Sequence, residues 1–279
     1  MVPVLSTLSC VVTLFVCLIL PILVLILLAR KNRKQGIVSA WLLGAAGFFV
    51  TQILIRLPIL TALQSQPQFM VFAQNHLFIY AFALAFTAGL FELAGRFAVA
   101  KLMHRRLTCK RSLAAGLGHG GIEAMVLIGM TYVNNLIYII MINSGTYDML
   151  FAQVAGNELA AVQLEIIRSQ LLAAPASLFL LAGFERILAM TAHTAMSMLV
   201  CYGVAHKKAL PCALVCLGIH TFIDLTAGIS QLAGSTLSQT AVYVIIYTIL
   251  VIVALASLYI IRELARRWNE TEVSYDSEE

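Results

Sequence analysis

The sequence predicts an all-α polytopic membrane protein with seven transmembrane helices, its N-terminus outside and its C-terminus in the cytoplasm. Three observations lead there. Hydrophobic residues make up 61% of the chain and charged residues 11%, with a mean hydropathy of +0.93, so there is too little polar surface to cover a soluble globule. Seven apolar runs are each long enough to cross a hydrocarbon core of about 30 Å. Basic residues gather at alternate ends of these runs rather than on one patch, so the net charge of +5 does not point to nucleic acid.

In chain order the runs are approximately Leu8–Ala29, Ile37–Leu63, Phe69–Ala100, Leu113–Ile142, Leu171–Ala205, Ala209–Gln231 and Ser238–Ile261. No Lys or Arg precedes the first, whereas Arg30, Lys31, Arg33 and Lys34 follow it, the reverse of a secretory signal peptide. Lys101, Arg105, Arg106, Lys110 and Arg111 separate the third run from the fourth, and Lys207 and Lys208 the fifth from the sixth. Arg262, Arg266 and Arg267 follow the seventh. Fourteen of the eighteen basic residues therefore fall on one side, read as cytoplasmic. Between the fourth and fifth runs, Asn143–Gln170 alternates apolar and polar residues and reads as an amphipathic helix on the outer surface. One seven-helix domain over 1–268 is expected, with its polar core in the third to sixth helices (about 69–231), followed by a short, acidic, disordered tail over 269–279. Five of the six cysteines lie in apolar runs and read as packing residues.

Function is sought in the ionisable residues inside these runs, since a charged side chain at bilayer depth costs roughly 2.5–3.5 kcal/mol and persists where it has partners or a task. The fourth run contains Gly116-Leu117-Gly118-His119-Gly120-Gly121-Ile122-Glu123-Ala124. His119 and Glu123, four apart, share a helical face, and Gly116 and Gly120 form a small-xxx-small pair that lets another helix approach. Neighbouring runs add Glu92 and Arg96, Glu185, Arg186 and His193, and His220 with Asp224 one turn later. At 1.5 Å rise per residue, Glu92, Glu123, His193 and His220 fall roughly 13–18 Å from the cytoplasmic boundary, Arg96 and His119 roughly 7–9 Å, and Asp224 and Glu185 roughly 22–30 Å. Antiparallel helices thus bring two carboxylates and two imidazoles into one layer. Glu92 with Arg96 also reads as an intrahelical ion pair. Glu185 and Arg186 point about 100° apart, so each is expected to need a different partner in a structural network. Arg56 is expected to pair with a carboxylate or to reach outward.

Such a layer suits hydrolysis: a carboxylate acts as general base towards water while imidazoles polarise a carbonyl or protonate a leaving amine. Zinc is the alternative, because His119, Glu123, His193 and His220 are zinc-type ligands, but no His-Glu-x-x-His is present. No cofactor is therefore expected.

Gly118-His119-Gly120-Gly121-Ile122-Glu123-Ala124, Phe184-Glu185-Arg186 with His193, and His220 with Asp224 resemble the bacterial YhfC family of glutamic-type intramembrane proteases, related to the CAAX-processing (Abi) and PrsW proteases. The resemblance covers about half of the chain. It implies Glu123 as general base, His193 as its partner, and His220 with Asp224 as the oxyanion group. Two departures accompany it: the paired-Glu motif of the CAAX enzymes is reduced to Phe91-Glu92-Leu93-Ala94-Gly95-Arg96, so Glu92 competes with Glu123, and Ala189 stands where a Phe should precede His193. In its seven helices and its glycine-rich fourth helix the chain also resembles the APH scaffold subunit of γ-secretase. The reading is an intramembrane endopeptidase of a bacterial cytoplasmic membrane, cutting a transmembrane or membrane-associated peptide near the cytoplasmic leaflet. Glu92, Arg96, His119, Glu185 and Arg186 support the site. A non-catalytic scaffold and a transporter are the competing readings.

Overall fold

The computed structural model describes residues 1–233 and 238–276. Among them the secondary structure is helical, with no strand. Seven helices are long and apolar enough to cross a membrane. We number the helices in chain order: α1 (Val4–Lys31), α2 (Ile37–Gln64), α3 (Pro67–Asn75), α4 (Leu77–Leu102), α5 (Cys109–Ser144), α6 (Met149–Gln153), α7 (Glu158–Ala173), α8 (Ala176–Ala205), α9 (Ala209–Ala233) and α10 (Gln239–Asp276). All except α3, α6 and α7 are candidate spans.

Local chemistry explains the departures from the expected boundaries. The third run starts late because α3 is a separate helix, opened by Pro67 at its first position and ended at His76, where φ is −132° and ψ 53°. Residues 143–170 form two helices rather than one. Gly156 takes a φ of +86°, and Asn157 caps α7 by accepting a hydrogen bond from the Ala160 amide at 3.1 Å. Pro175 holds Ala174 in extended backbone and delays α8 to Ala176. At the C-terminal end α10 runs through the segment read as a tail as far as Asp276, while 277–279 lie outside the described residues.

The chain divides into two compact units. One comprises Met1–Leu23 and Ala124–Ile187. Its apolar centre is Val2, Cys10, Ile139, Leu171 and Phe179, and polar side chains tie its segments together. The Thr13 hydroxyl donates to the Phe179 carbonyl at 2.5 Å, and Asn143 exchanges two bonds with the Val2 backbone, accepting at 2.7 Å and donating at 3.2 Å.

The other unit comprises Val24–Glu123 and Leu188–Glu279. Its core is built on small residues and methionines, among them Ala40, Ala100, Ala114, Ala115, Met196 and Met198. Small residues permit backbone-to-backbone packing of α2 on α5. A Cβ on Gly44 would collide with the Ala115 carbonyl, and one on Gly118 with the Trp41 carbonyl. Neither obstacle can rotate away. Gly118→Ala is therefore expected to cost about 1–3 kcal/mol or more through overpacking, read as a lower melting temperature of the purified protein. Gly218→Ala, with nothing within 4 Å of the added carbon, should be neutral or slightly stabilising.

Candidate metal centre

The second unit also gathers the buried polar side chains of α2, α4, α5, α8 and α9, and glycines make that possible. A Cβ on Gly120 would sit 3.1 Å from the His193 Cβ, and one on Gly89 3.3 Å from the His220 Cβ. Each of these glycines thus gives a histidine of the facing helix room to enter between backbones. His119 arrives from α5 with the edge of Phe48 against its ring, centroids 5.2 Å apart.

At the centre is Glu92, 3% exposed. Its Oε2 lies 2.9 Å from Arg96 Nη2, 2.9 Å from His119 Nε2, 2.8 Å from His220 Nε2 and 3.4 Å from His193 Nδ1. Its Oε1 accepts from Gln52 Nε2 at 2.8 Å. Five side chains from five helices converge on one carboxylate. The pair Glu92 and Arg96, legible as i, i+4, is only the local part of this arrangement. Opposite charge and hydrogen bonds together are what keep a buried carboxylate ionised.

Proton placement follows from the donors. Arg96 Nη2 is 2.7 Å from His193 Nδ1, and a guanidinium can only donate, so Nδ1 accepts and the ring proton sits on Nε2. That Nε2 is 2.7 Å from Glu123 Oε2. His193 therefore stands between the Arg96–Glu92 pair and Glu123, stacked on His119 at 5.4 Å and edge-on to His220 at 5.5 Å. On the far side of His220, Asp224 Oδ2 approaches Nδ1 to 3.3 Å. The Glu123 side chain is 12% exposed and that of Asp224 36%, so both are more accessible than Glu92.

The structure brings Glu92, Arg96, His119, Glu123, His193, His220 and Asp224 into one cluster. Arg96 and His119 join Glu92 although their backbones were counted shallower, because counting along a helix locates Cα atoms and their long side chains span the remaining distance. Glu185 and Arg186 lie in the first unit and pair with each other, since the guanidinium stem is long enough to reach back to the adjacent position. Arg56 Nη2 donates to the Leu84 carbonyl at 2.7 Å, and its other contacts are with Gln52 and Thr87 rather than a carboxylate. Gln52 was missed. The available signal was its place one turn before Arg56 in an apolar run, on a π-helical stretch, Phe49–Arg56, of the kind often found at functional sites.

Could this cluster hold a metal? Glu92, His119 and His193 each offer a donor atom, all within 4.8 Å of one another, and all three residues are buried. Imidazole and carboxylate are the donors of catalytic zinc sites. His220 adds a further sign. Both its ring nitrogens are buried without a well-aligned hydrogen bond, even though Nε2 is 2.8 Å from Glu92 Oε2. Alignment outweighs the bare distance, since a short contact off the lone-pair axis is a weak hydrogen bond and leaves nitrogen lone-pair capacity at the centre. His193 offers Nδ1 on the Glu92 side while its Nε2 faces Glu123, the carboxylate-backed arrangement that orients metal-ligating histidines. The residues fit a zinc-type divalent ion.

Comparison with known proteins agrees. A family model described as "YhfC intramembrane metalloprotease" matches residues 16–253. The chain is 30% identical over 217 residues to a Bacillus subtilis (strain 168) protein described as "Uncharacterized membrane protein YhfC", covering 77% of this chain and 81% of that one. No solved structure matches. The expectation of a site without cofactor is thereby corrected: the family is described as metalloproteases, and Glu92, His119 and His193 form a group able to bind a metal. The sequence pointed away from metal because these ligands come from three helices, so no contiguous zinc motif exists.

Proposed function

The chain belongs to the YhfC family, and from that premise we propose that it is an intramembrane metalloprotease whose centre is Glu92, His119 and His193, with His220 as an additional donor. The observation that carries the reading is the convergence of these donor atoms within 4.8 Å at a buried position in a membrane-spanning bundle. Gln52 and Arg96 hold Glu92 in place, and Phe48 fixes the plane of His119. Such a cation, when bound, polarises a carbonyl and acidifies water.

Around it the chain's own residues divide the proton chemistry. Glu123 is the general base. It is the carboxylate with partial exposure next to His193, whereas Glu92 is shut in by five partners, so an attacking water reaches Glu123 first. His193, with its protonated Nε2 facing Oε2 at 2.7 Å, holds the Glu123 carboxylate in position, and Glu123 delivers the proton it takes from water to the leaving amine. Asp224, 3.3 Å from His220 Nδ1, orients that ring so that Nε2 faces the centre. The substrate class is a transmembrane or membrane-associated peptide, cut towards the end of the bundle that the basic residues assign to the cytoplasm.

The test uses full-length protein in detergent with a transmembrane peptide substrate. We expect about one zinc per chain by mass spectrometry of the metal, loss of cleavage with 1,10-phenanthroline but not with its non-chelating isomer, and recovery on adding zinc or cobalt. Cleavage by metal-stripped protein that persists in chelator would overturn the metalloprotease reading.

A further inference from the structure

Away from the polar cluster, the second unit contains a cavity of about 680 Å³ with a different chemistry. Its walls come from the link between α1 and α2 and the link between α4 and α5, each of which joins one span to the next, so both lie at one end of the spans. Lys34, Arg106, Lys110 and Arg111 line it, and among the described residues no carboxylate does. Among the described residues no ion pair involves any of these four cations. Four like charges around one hollow repel one another, and an anion relieves that repulsion.

The cavity is also held in shape. Arg111 Nη1 lies where a Cβ of Gly36 would be, so the guanidinium sits directly over a glycine backbone whose φ is +67°. Any side chain at position 36 would push it away. Arg111 Nε is buried without a hydrogen-bond partner. Lys34, two residues earlier, is itself left-handed at φ 69°, an uncommon conformation for a non-glycine residue, and the link turns there to bring its side chain to the cavity.

We propose that this cavity binds a phosphate group, presented as the headgroup of an anionic phospholipid. Guanidinium forks and ammonium groups are the recognition chemistry of phosphate oxygens. The size favours the lipid source: a cavity of about 680 Å³ is far larger than one phosphate and has room for a glycerophosphate headgroup. The position agrees, since Lys34 and Lys110 stand within a few residues of the ends of α1 and α5, at the level where a bilayer presents its headgroups. Arg111 is also two turns from His119 on the same helix, so an occupied cavity would anchor the α5 end that carries the polar cluster.

Binding can be measured without any proteolysis, on delipidated full-length protein, by native mass spectrometry with phosphatidylglycerol, phosphatidylcholine or inorganic phosphate as the probe. The expected result is retention of phosphatidylglycerol at collision energies that remove phosphatidylcholine. Lys34→Gln/Lys110→Gln should weaken it about 25-fold, from roughly fivefold per cation, with an unchanged melting temperature because both side chains are exposed. Arg111→Gln serves as the independent variant and should weaken it about fivefold. Displacement of the lipid by millimolar phosphate, or phosphate binding without lipid binding, would keep the phosphate chemistry and overturn the lipid source. Equal retention of the two lipids, unchanged phosphatidylglycerol binding in both folded variants, or preference for an acidic peptide would overturn the proposal.

Discussion

Glu92→Gln is expected to lower zinc retention at least ~100-fold, more than the 10–100-fold typical of groups that merely orient a ligand, and to destabilise the bundle at the same time. Both effects follow from one geometry. Oε2 is the atom shared by Arg96, His119 and His220, and an amide in its place presents a single accepting oxygen, and no charge, to partners that two carboxylate oxygens serve. Arg96, 2% exposed, then keeps a buried guanidinium without its counter-ion, a loss of roughly 3–5 kcal/mol. The double variant Glu92→Gln/Arg96→Met separates the two consequences. Removing both charges should restore most of the stability while zinc remains lost, as measured by thermal unfolding beside metal content. If Glu92→Gln unfolds the protein no sooner than wild type and keeps its zinc, the carboxylate is not the hub of the centre.

The same carboxylate marks where the sequence could be followed and where it could not. Hydropathy found the seven candidate spans among the described residues, because a helix that crosses a bilayer must be predominantly apolar. The interruptions were harder to see. In the run from Phe69 to Ala100 the consecutive polar residues Gln74, Asn75 and His76 mark where helical geometry is left, a local signal that hydropathy averaged over the run absorbs. In the site, depth counting brought Glu92, Glu123, His193 and His220 to one level because antiparallel helices share a common scale of 1.5 Å per residue. Their roles were less legible. Glu92 advertises a local partner four residues on, whereas its long-range partners, His119 at 27 positions and His220 beyond them, become visible only when α4, α5 and α9 are packed together. The Gln52 contact, 40 positions away, is of the same kind. Metal binding was read as improbable for that reason: a ligand set scattered over three helices leaves no spacing to recognise. The glycines were the most informative residues, since Gly120 was read as a packing device and is also what admits His193.

For Glu123→Gln the expectation is the complement: cleavage falls by about 10²–10⁴, the range for loss of a general acid or base, while zinc content and melting temperature stay near wild type. The side chain is partly exposed, the replacement has the same shape, and no ligand atom is removed. The amide oxygen can still face His193 Nε2, and the Arg96 contact at Nδ1 keeps the imidazole tautomer, so only proton uptake disappears. That last point gives a readout beyond rate. In wild type the acid limb of the pH dependence of kcat/KM reports protonation of the base, and in Glu123→Gln this limb should vanish from the residual activity. His193→Ala would not behave alike, because it removes a metal donor and should lose zinc as well as activity. Retained activity in Glu123→Gln with an unchanged acid limb would transfer the role of base away from Glu123. A loss of zinc in Glu123→Gln would instead make it a ligand or a prop for His193, and the division of labour between the exposed and the enclosed carboxylate would have to be redrawn.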